Sequence, residues 1–150
     1  MAQKITPNLW FNGNAKVAVD YYLSVFPDST VIATSYYPTE GLAEFQQGLA
    51  GQELAIDFEL NGQRFTAINA GPEFTFSEAV SLAVSCQDQA EIDYYWEKLS
   101  AVPEAEQCGW CKDRFGLSWQ IVPANMDELM QRPNAFAHLM QMHKLVIADF

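Results

Sequence analysis

The chain has 150 residues, which is the usual length of a single domain, and its 49% hydrophobic residues are typical of a globular protein. Eight basic and nineteen acidic residues give a net charge of −11, which would repel nucleic-acid phosphates and anionic membranes. No apolar run approaches the roughly 20 residues of a membrane helix, and no secretion signal is visible. Three cysteines in such a chain indicate reduced thiols and a cytoplasmic protein.

The first half of the chain predicts one helix and four strands. The strands are expected at residues 5–12, 30–37, 53–60 and 64–69, with a helix at 15–26. Asn14 can cap this helix, and Pro27 ends it. Asn61 and Gly62 together are typical of a type I′ hairpin turn. Residues 38–51 lack periodicity and predict a long loop of the kind that often acts as a lid.

The second half repeats this order more weakly. A strand at 79–86, a helix at 88–99 and a hairpin at 109–123 are expected, followed by short helices that begin near Asn125 and Asn134. Both long helices carry Asp-Tyr-Tyr at the same place, in AVDYYLSVF and EIDYYWEKL. We therefore interpret residues 1–150 as one domain of two modules, at about 5–71 and 79–123, with a helical tail at about 125–144. In the last helix, Phe136, Leu139, Met140 and His143 are expected to form one stripe.

The hairpin at 109–123 raises the main question about function. In its second strand, polar Ser118 and Gln120 alternate with Leu117, Trp119 and Ile121. Alternation with period two indicates that one face is packed and that the other face lies in a different environment. The sequence alone leaves open whether Gln120 faces water or a cavity.

Four stretches of the chain resemble a known family. They are ITPNLWFNGNA, FELNGQRFTAINAGPEF, SLAVSC with DYYWEKL, and CGWCKDRFGLSWQIVP, and they span roughly residues 5–130 in order. This pattern resembles the PhnB-like branch of the vicinal oxygen chelate superfamily, which includes glyoxalase, bleomycin-resistance proteins and extradiol dioxygenases. Members of the branch are often labelled 3-demethylubiquinone-9 3-methyltransferases. The resemblance implies an α+β fold, with two βαβββ modules in a cupped mixed sheet and C-terminal helices, and frequently a homodimer.

The resemblance also implies where a metal ion would bind. Enzymes of the superfamily hold a divalent ion through His, Gln or carboxylate ligands on the first and last strand of each module. The matching positions here fall near Pro7–Asn8 and Thr66–Ala67, and at Ser81 and Gln120. None of them is a histidine or a carboxylate, whereas a hard divalent ion needs about six oxygen or imidazole donors. We therefore expect no metal site and no cofactor.

Two other groups of residues could carry chemistry. Cys108 and Cys111 form a C-x-x-C motif, but a redox pair needs a thiolate at a helix N-terminus, so structural cysteines are favoured. A zinc site that also uses Cys86 lacks a full ligand set. His138 and His143 are five residues apart and therefore do not share a helical face as metal ligands would.

Two further enzymatic interpretations are weaker. Asp57 and Glu59 share one face of a strand, which could make an acid–base pair but is also what a half-solvated strand produces. A methyltransferase that uses S-adenosylmethionine normally has a glycine-rich loop, and no G-x-G occurs in this sequence.

The sequence therefore predicts a metal-free protein that binds a small, partly aromatic organic molecule. Asn8, Ser81 and Gln120 are the expected polar anchors, because Asn and Gln orient a ligand without titrating. Trp10 and Trp110 are the expected apolar walls. The alternative is an enzyme, either a metal-dependent isomerase, lyase or dioxygenase, or a methyltransferase acting on a quinone precursor. A third possibility is a module whose cavity is filled and whose surface recognises a protein.

Overall fold

The structure is a computed structural model that describes residues 3–150. The chain divides into two compact units, Met1–Thr75 and Phe76–Phe150, and each is described by itself. Within residues 3–150, no helix has the length and apolar character needed to cross a membrane.

The first unit is a four-stranded mixed sheet with one helix packed on it. Its elements are β1 (Asn8–Asn12), α1 (Ala15–Val25), β2 (Ser29–Tyr36), β3 (Glu53–Leu60) and β4 (Gln63–Ala70). The strand order is β1-β4-β3-β2, with β1 parallel to β4 and the other pairs antiparallel. Asn61 and Gly62 have φ values of 50° and 81°, as the predicted hairpin turn requires. This order is the predicted βαβββ module.

Buried and more exposed side chains alternate along β1, β3 and β4. The buried ones face α1 and form the core between the sheet and this helix. Leu9 and Phe11 on β1 are buried, as are Phe65 on β4 and Phe58 on β3. The helix buries Ala15, Ala18, Val19, Tyr22 and Val25 on one side. The residues between the buried strand positions therefore lie on the opposite face of the sheet, which we call the first open face.

Asn69 is a buried residue that joins several elements of this unit through hydrogen bonds. Its side chain is 2% exposed, and its Oδ1 accepts a hydrogen bond of 3.1 Å from the backbone amide of Ala15, the first residue of α1. Its Nδ2 donates to the carbonyl of Glu53 at 3.0 Å, and its own carbonyl accepts from the Tyr37 hydroxyl at 2.6 Å. One residue thus joins the helix, two strands and the segment that follows β2.

The second unit has a three-stranded sheet and additional helices. Its elements are β5 (Ser81–Cys86), α2 (Gln89–Leu99), β6 (Trp110–Lys112), β7 (Ser118–Pro123), α3 (Met126–Leu129) and α4 (Ala135–Gln141). The order is β5-β7-β6, with β5 parallel and β6 antiparallel to β7.

This unit is βαββ and therefore has one strand fewer than the predicted module. In its place, Pro103, which has no amide hydrogen, begins a short 3-10 helix, and a single backbone bond of 2.9 Å joins Ala101 to Lys112.

The C-terminal helices pack on a core of their own, and the predicted stripe on the last helix is wrong. The buried residues of this cluster are Leu129, Ala135, Met142, Leu145 and Phe150. On α4, Phe136 and Met140 are 65% and 46% exposed, because Ala135 and Leu139 occupy the inward face instead. His143 follows the helix, and its Nδ1 lies 2.7 Å from the carbonyl of Glu106. The packed tail extends beyond the predicted limit at residue 144.

Asp113 organises the hairpin of β6 and β7. The residue is 1% exposed, and its Oδ1 accepts from the backbone amides of Phe115 and Leu117 at 2.8 and 3.1 Å. Its Oδ2 accepts from Nε1 of Trp119 at 2.9 Å. Hydrogen bonds to the Asp113 carboxylate thus fix both the turn and the side chain of Trp119.

Asp113→Ala is expected to lower the free energy of unfolding by about 3 kcal/mol, because three buried donors lose their acceptor. Urea unfolding followed by tryptophan fluorescence measures this loss. Asp127→Ala on the exposed side of α3 is the control, and it should change stability by less than about 0.5 kcal/mol. Equal stability of the two variants would contradict the role given to Asp113.

Candidate functional site

The first open face carries a cleft of about 250 Å³ within the first unit. The lining is mainly apolar and aromatic and consists of Trp10, Tyr37, Phe45, Gln46, Leu49, Leu54, Ile68, Ala70, Gly71, Pro72 and Glu73. Trp10 and Ile68 form its floor, because they are register partners on β1 and β4 and point away from α1. A mostly apolar concave surface with few polar groups is typical of small-molecule sites.

The segment between β2 and β3 forms one wall of the cleft. It contains a 3-10 helix, Glu44–Leu49, where the sequence predicts an irregular loop. Phe45 and Leu49 of this helix line the cleft, and the Phe45 side chain is 78% exposed. Backbone bonds between Tyr37 and Gln52 and between Gly51 and Tyr37 close the segment at its base. The large apolar ring of Phe45 thus lies beside the cleft and is not packed in the core.

Trp10 is held at the cleft by two contacts. Its Nε1 donates to the carbonyl of Gly71 at 2.9 Å, and its ring packs edge-on against Phe74 with 4.8 Å between ring centroids. The side chain is half-buried, so part of the indole remains available to a ligand. Trp10, which the sequence predicts as an apolar wall, therefore lies on the first open face with its ring in contact with Gly71 and Phe74.

Tyr37 and Glu73 bring polar chemistry to the same cleft. Burial raises the pKa of the Tyr37 hydroxyl, and the nearby Glu73 carboxylate raises that pKa further. The hydroxyl donates to the carbonyl of Asn69, so it is fixed in its neutral form. Glu73 is exposed, and its carboxylate folds back over Gly71.

Asn8 lies on the first open face next to the cleft and is not part of its lining. Register pairs it with Thr66 on β4, and Thr66 in turn pairs with Asp57 on β3. The Thr66 hydroxyl donates to Oδ1 of Asp57 at 2.6 Å, and Nδ2 of Asn8 donates to the carbonyl of Thr6 at 2.9 Å. Asn8, Thr66 and Asp57 therefore form a polar row across three strands, two residues along β1 and β4 from the floor of the cleft.

Ser81, Trp110 and Gln120 come together in the second unit. Nε2 of Gln120 donates to the Ser81 hydroxyl at 2.9 Å, and Trp110 is the register partner of Gln120 across β6 and β7. All three side chains are half-buried, whereas Trp119 and Ile121, which point the other way, are buried. These three residues thus share what we call the second open face, the side of the sheet away from α2.

The residues at the superfamily's metal positions do not fit a divalent metal ion. Asn8, Thr66, Ser81 and Gln120 are all neutral, and the amide of Gln120 is engaged as a donor to Ser81. Among residues 3–150, no group of three or more His, Cys, Asp or Glu side chains is placed to hold a metal ion. Hard divalent cations are usually held by several oxygen ligands that include carboxylates, and this set offers no charged ligand.

Two of the three cysteines are buried, and burial disfavours their thiolate form. All three, Cys86, Cys108 and Cys111, are free thiols. Burial raises the pKa of Cys86 and of Cys111 to about 12, with smaller contributions from nearby carboxylates. A thiol with so high a pKa is a poor nucleophile at neutral pH.

A glycine-rich cofactor loop is also missing at the first strand–helix turn. Gly13 with Asn14 connects β1 to α1, and the amide that begins the helix, that of Ala15, donates to buried Asn69. One amide of the helix end that would cradle an anionic cofactor group is thus already bonded within the protein.

Comparison with known proteins identifies the family. The family model described as 3-demethylubiquinone-9 3-methyltransferase matches residues 3–122. The chain belongs to this family, within the vicinal oxygen chelate superfamily, which confirms the predicted resemblance and the α+β fold. No match is found among curated proteins.

Solved structures agree with this assignment. A PhnB protein from Bacillus cereus is 34% identical, with a TM-score of 0.66 over 81% of this chain and 100% of that one. A protein from Pseudomonas aeruginosa is 19% identical, with a TM-score of 0.60 over 81% and 98% of the two chains. The fosfomycin resistance protein FosX from Listeria monocytogenes, complexed with Mn(II) and sulfate, is 13% identical, with a TM-score of 0.54 over 88% and 98%. The last two share the fold alone.

Sequence reasoning missed Tyr37, Phe45 and Glu73. Tyr37 is the last residue of a predicted strand, and Phe45 and Glu73 lie between predicted strands. The clustering of Gly71, Pro72 and Glu73 directly after a strand that ends in apolar residues is the signal that could have directed attention there. The sequence suggests Glu59 as the partner of Asp57, whereas in the structure Asp57 accepts a hydrogen bond from the Thr66 hydroxyl.

Proposed function

We propose that this protein is a metal-free binding protein for a small, partly aromatic organic molecule. The observation that carries the proposal is the aromatic cleft at Trp10. Drug-sized ligands occupy pockets of about 300–1,000 Å³. A cleft of about 250 Å³ therefore suits a smaller molecule of one or two rings.

The flat shape of the ligand follows from the rings that line the cleft. Trp10 and Phe45 present apolar ring surface at the floor and at one wall, and such surfaces favour stacked or edge-on contact with another ring. Aromatic side chains also lose little conformational freedom when they bind, because they have few rotatable bonds. A planar apolar body thus gains the most from this cleft.

Polar anchors would orient the ligand. We assign this role to Asn8 for a ligand in the cleft of the first unit. As a separate site on the second open face, we assign it to Ser81 and Gln120, with Trp110 as the apolar wall there. The support for Gln120 is its fixed position: one amide hydrogen is held by Ser81, and the carbonyl oxygen stays available to a ligand. These groups donate or accept hydrogen bonds and do not titrate near neutral pH.

The proposal excludes metal catalysis for the chain on chemical grounds, because the superfamily's ligand positions are neutral side chains here. Methyl transfer, which the family's description names, is favoured by the family match alone. We further propose that the protein is cytoplasmic, where three free thiols stay reduced.

Trp10→Ala is expected to weaken binding of the neutral fluorescent probe N-phenyl-1-naphthylamine by about tenfold, because the floor of the cleft loses its ring. Trp10→Phe keeps an aromatic ring and should retain most of the affinity. Phe136→Ala removes an exposed apolar ring in the second unit and is the control. Equal affinity of all variants, or displacement of the probe by S-adenosylmethionine, would contradict the proposal.

Gln120→Ala is expected to weaken binding of 1-naphthylmethanol, a ring with one hydroxyl, and to leave the thermal unfolding midpoint within a few degrees. The hydroxyl loses a hydrogen-bond partner, which costs about 1 kcal/mol or roughly fivefold in affinity. Direct calorimetric titration with 1-naphthylmethanol measures this change. Gln131→Ala, which removes a distant exposed amide, is the matched control. Unchanged affinity in Gln120→Ala would remove Gln120 from the site.

The homodimer that the family resemblance implies is also part of the proposal, and the edge strand β2 supports it. This strand pairs only with β3, and Val31, Ile32 and Tyr36 on it are 42%, 41% and 60% exposed. An exposed edge that carries apolar side chains favours pairing with another chain. Light scattering during size-exclusion chromatography should give twice the chain mass of 16.9 kDa, and Ile32→Lys should shift it toward one chain. A single-chain mass for the unmodified protein would contradict this part of the proposal.

A further inference from the structure

Glu73 is the one charged residue among those that line the cleft. No lysine, arginine or histidine lines the cleft with it, and within residues 3–150 its carboxylate takes part in none of the ion pairs, which join Lys16 to Asp20, Lys112 to Glu78 and Lys144 to Asp93. A carboxylate at the edge of an apolar cleft, without a protein cation beside it, is free to attract a cation from solution.

The position of this carboxylate is defined by its neighbours. A Cβ atom on Gly71 would come within 2.7 Å of an oxygen of Glu73, so the carboxylate lies over Gly71. The carbonyl of the same glycine accepts the indole hydrogen of Trp10. Gly71 therefore places the negative charge and the aromatic floor next to each other.

The aromatic rings add to the attraction for a cation. Trp10, Tyr37 and Phe45 all line the cleft, and the face of an aromatic ring carries partial negative charge. Several rings around one cavity are the usual way in which proteins recognise ammonium groups, and tryptophan gives the strongest interaction. The aromatic rings and the Glu73 carboxylate thus both favour a positively charged ligand.

Other acidic residues on the first open face also favour the approach of a cation. Asp57 accepts a hydrogen bond from Thr66 with one oxygen, and no bond involves its second oxygen within the described residues. Glu59 on the same strand lies opposite Arg64 in the register, which is the only cation on these rows of β3 and β4. The chain as a whole carries a net charge of −11, so the long-range potential also attracts cations.

We infer that the cleft selects an organic cation, a flat ring system that carries an ammonium group, with the rings on Trp10 and the ammonium group at Glu73. This inference rests on the proposed function, because it names the chemical class of the ligand for the same cleft. The ammonium would donate hydrogen bonds to the Glu73 carboxylate, while the ring system displaces water from the apolar floor.

The test compares three naphthalenes of similar size in competition with N-phenyl-1-naphthylamine. They are 1-naphthylmethylammonium, neutral 1-naphthylmethanol and anionic 1-naphthoate. The ammonium compound is expected to bind about tenfold more tightly than the alcohol, because it gains both a carboxylate and aromatic faces. The naphthoate is expected to bind most weakly.

Glu73→Gln should remove most of the preference for the ammonium compound over the alcohol, because the charge is lost while the amide oxygen can still accept a hydrogen bond. Glu44→Gln is the matched control, because Glu44 is exposed next to the cleft residue Phe45 but does not line the cleft itself. Both substitutions remove one negative charge. The control should preserve the preference. Glu73 is itself exposed, so neither variant is expected to alter folding, which circular dichroism checks.

The outcomes separate the inference from the proposed function. If the alcohol and the ammonium compound bind equally, or if Glu44→Gln reduces the preference as much as Glu73→Gln, the cleft binds rings without selecting a cation and the inference is wrong. If no naphthalene and no probe binds, both the inference and the proposed function are wrong. A preference that is lost only in Glu73→Gln supports both.

Discussion

The structure depends on the requirement that buried backbone donors and acceptors find partners inside the protein. In the first unit, Asn69 meets this requirement for three elements at once, since its side chain serves Ala15 and Glu53 and its carbonyl accepts from Tyr37. Because Tyr37 is fixed in this way, the segment that follows it closes against Trp10 and forms a cleft. The candidate cleft therefore follows from a hydrogen-bonding constraint in the core.

The second unit meets the same requirement with a charged group. Asp113 holds the amides of the turn before β7 and the indole of Trp119. With Trp119 fixed beneath the sheet, alternation forces Gln120 onto the other face, opposite Trp110. The two sheets thus use different buried side chains, an amide and a carboxylate, to present polar and aromatic groups on their open faces.

The sequence predicts those parts of the protein that rest on local periodicity. The helices and the position of Gln120 on the open face of its sheet follow from repeats of two or 3.6 residues. The turn at Asn61 and Gly62 follows from those two residues themselves. The cleft is different, because Phe45 and Glu73 reach Trp10 only through contacts that are distant along the chain. The strand that the second module lacks is also a tertiary outcome, and a 3-10 helix that begins at Pro103 stands in its place.

The central claim is that a small aromatic molecule binds in the cleft on Trp10. Its most direct test is the nitrogen–proton NMR spectrum of the four tryptophan indoles during titration with 1-naphthylmethanol. The signal of Trp10 should shift progressively and saturate, while that of Trp119, which is buried against Asp113, should stay in place. Saturable binding that leaves the Trp10 signal unmoved would contradict the claim.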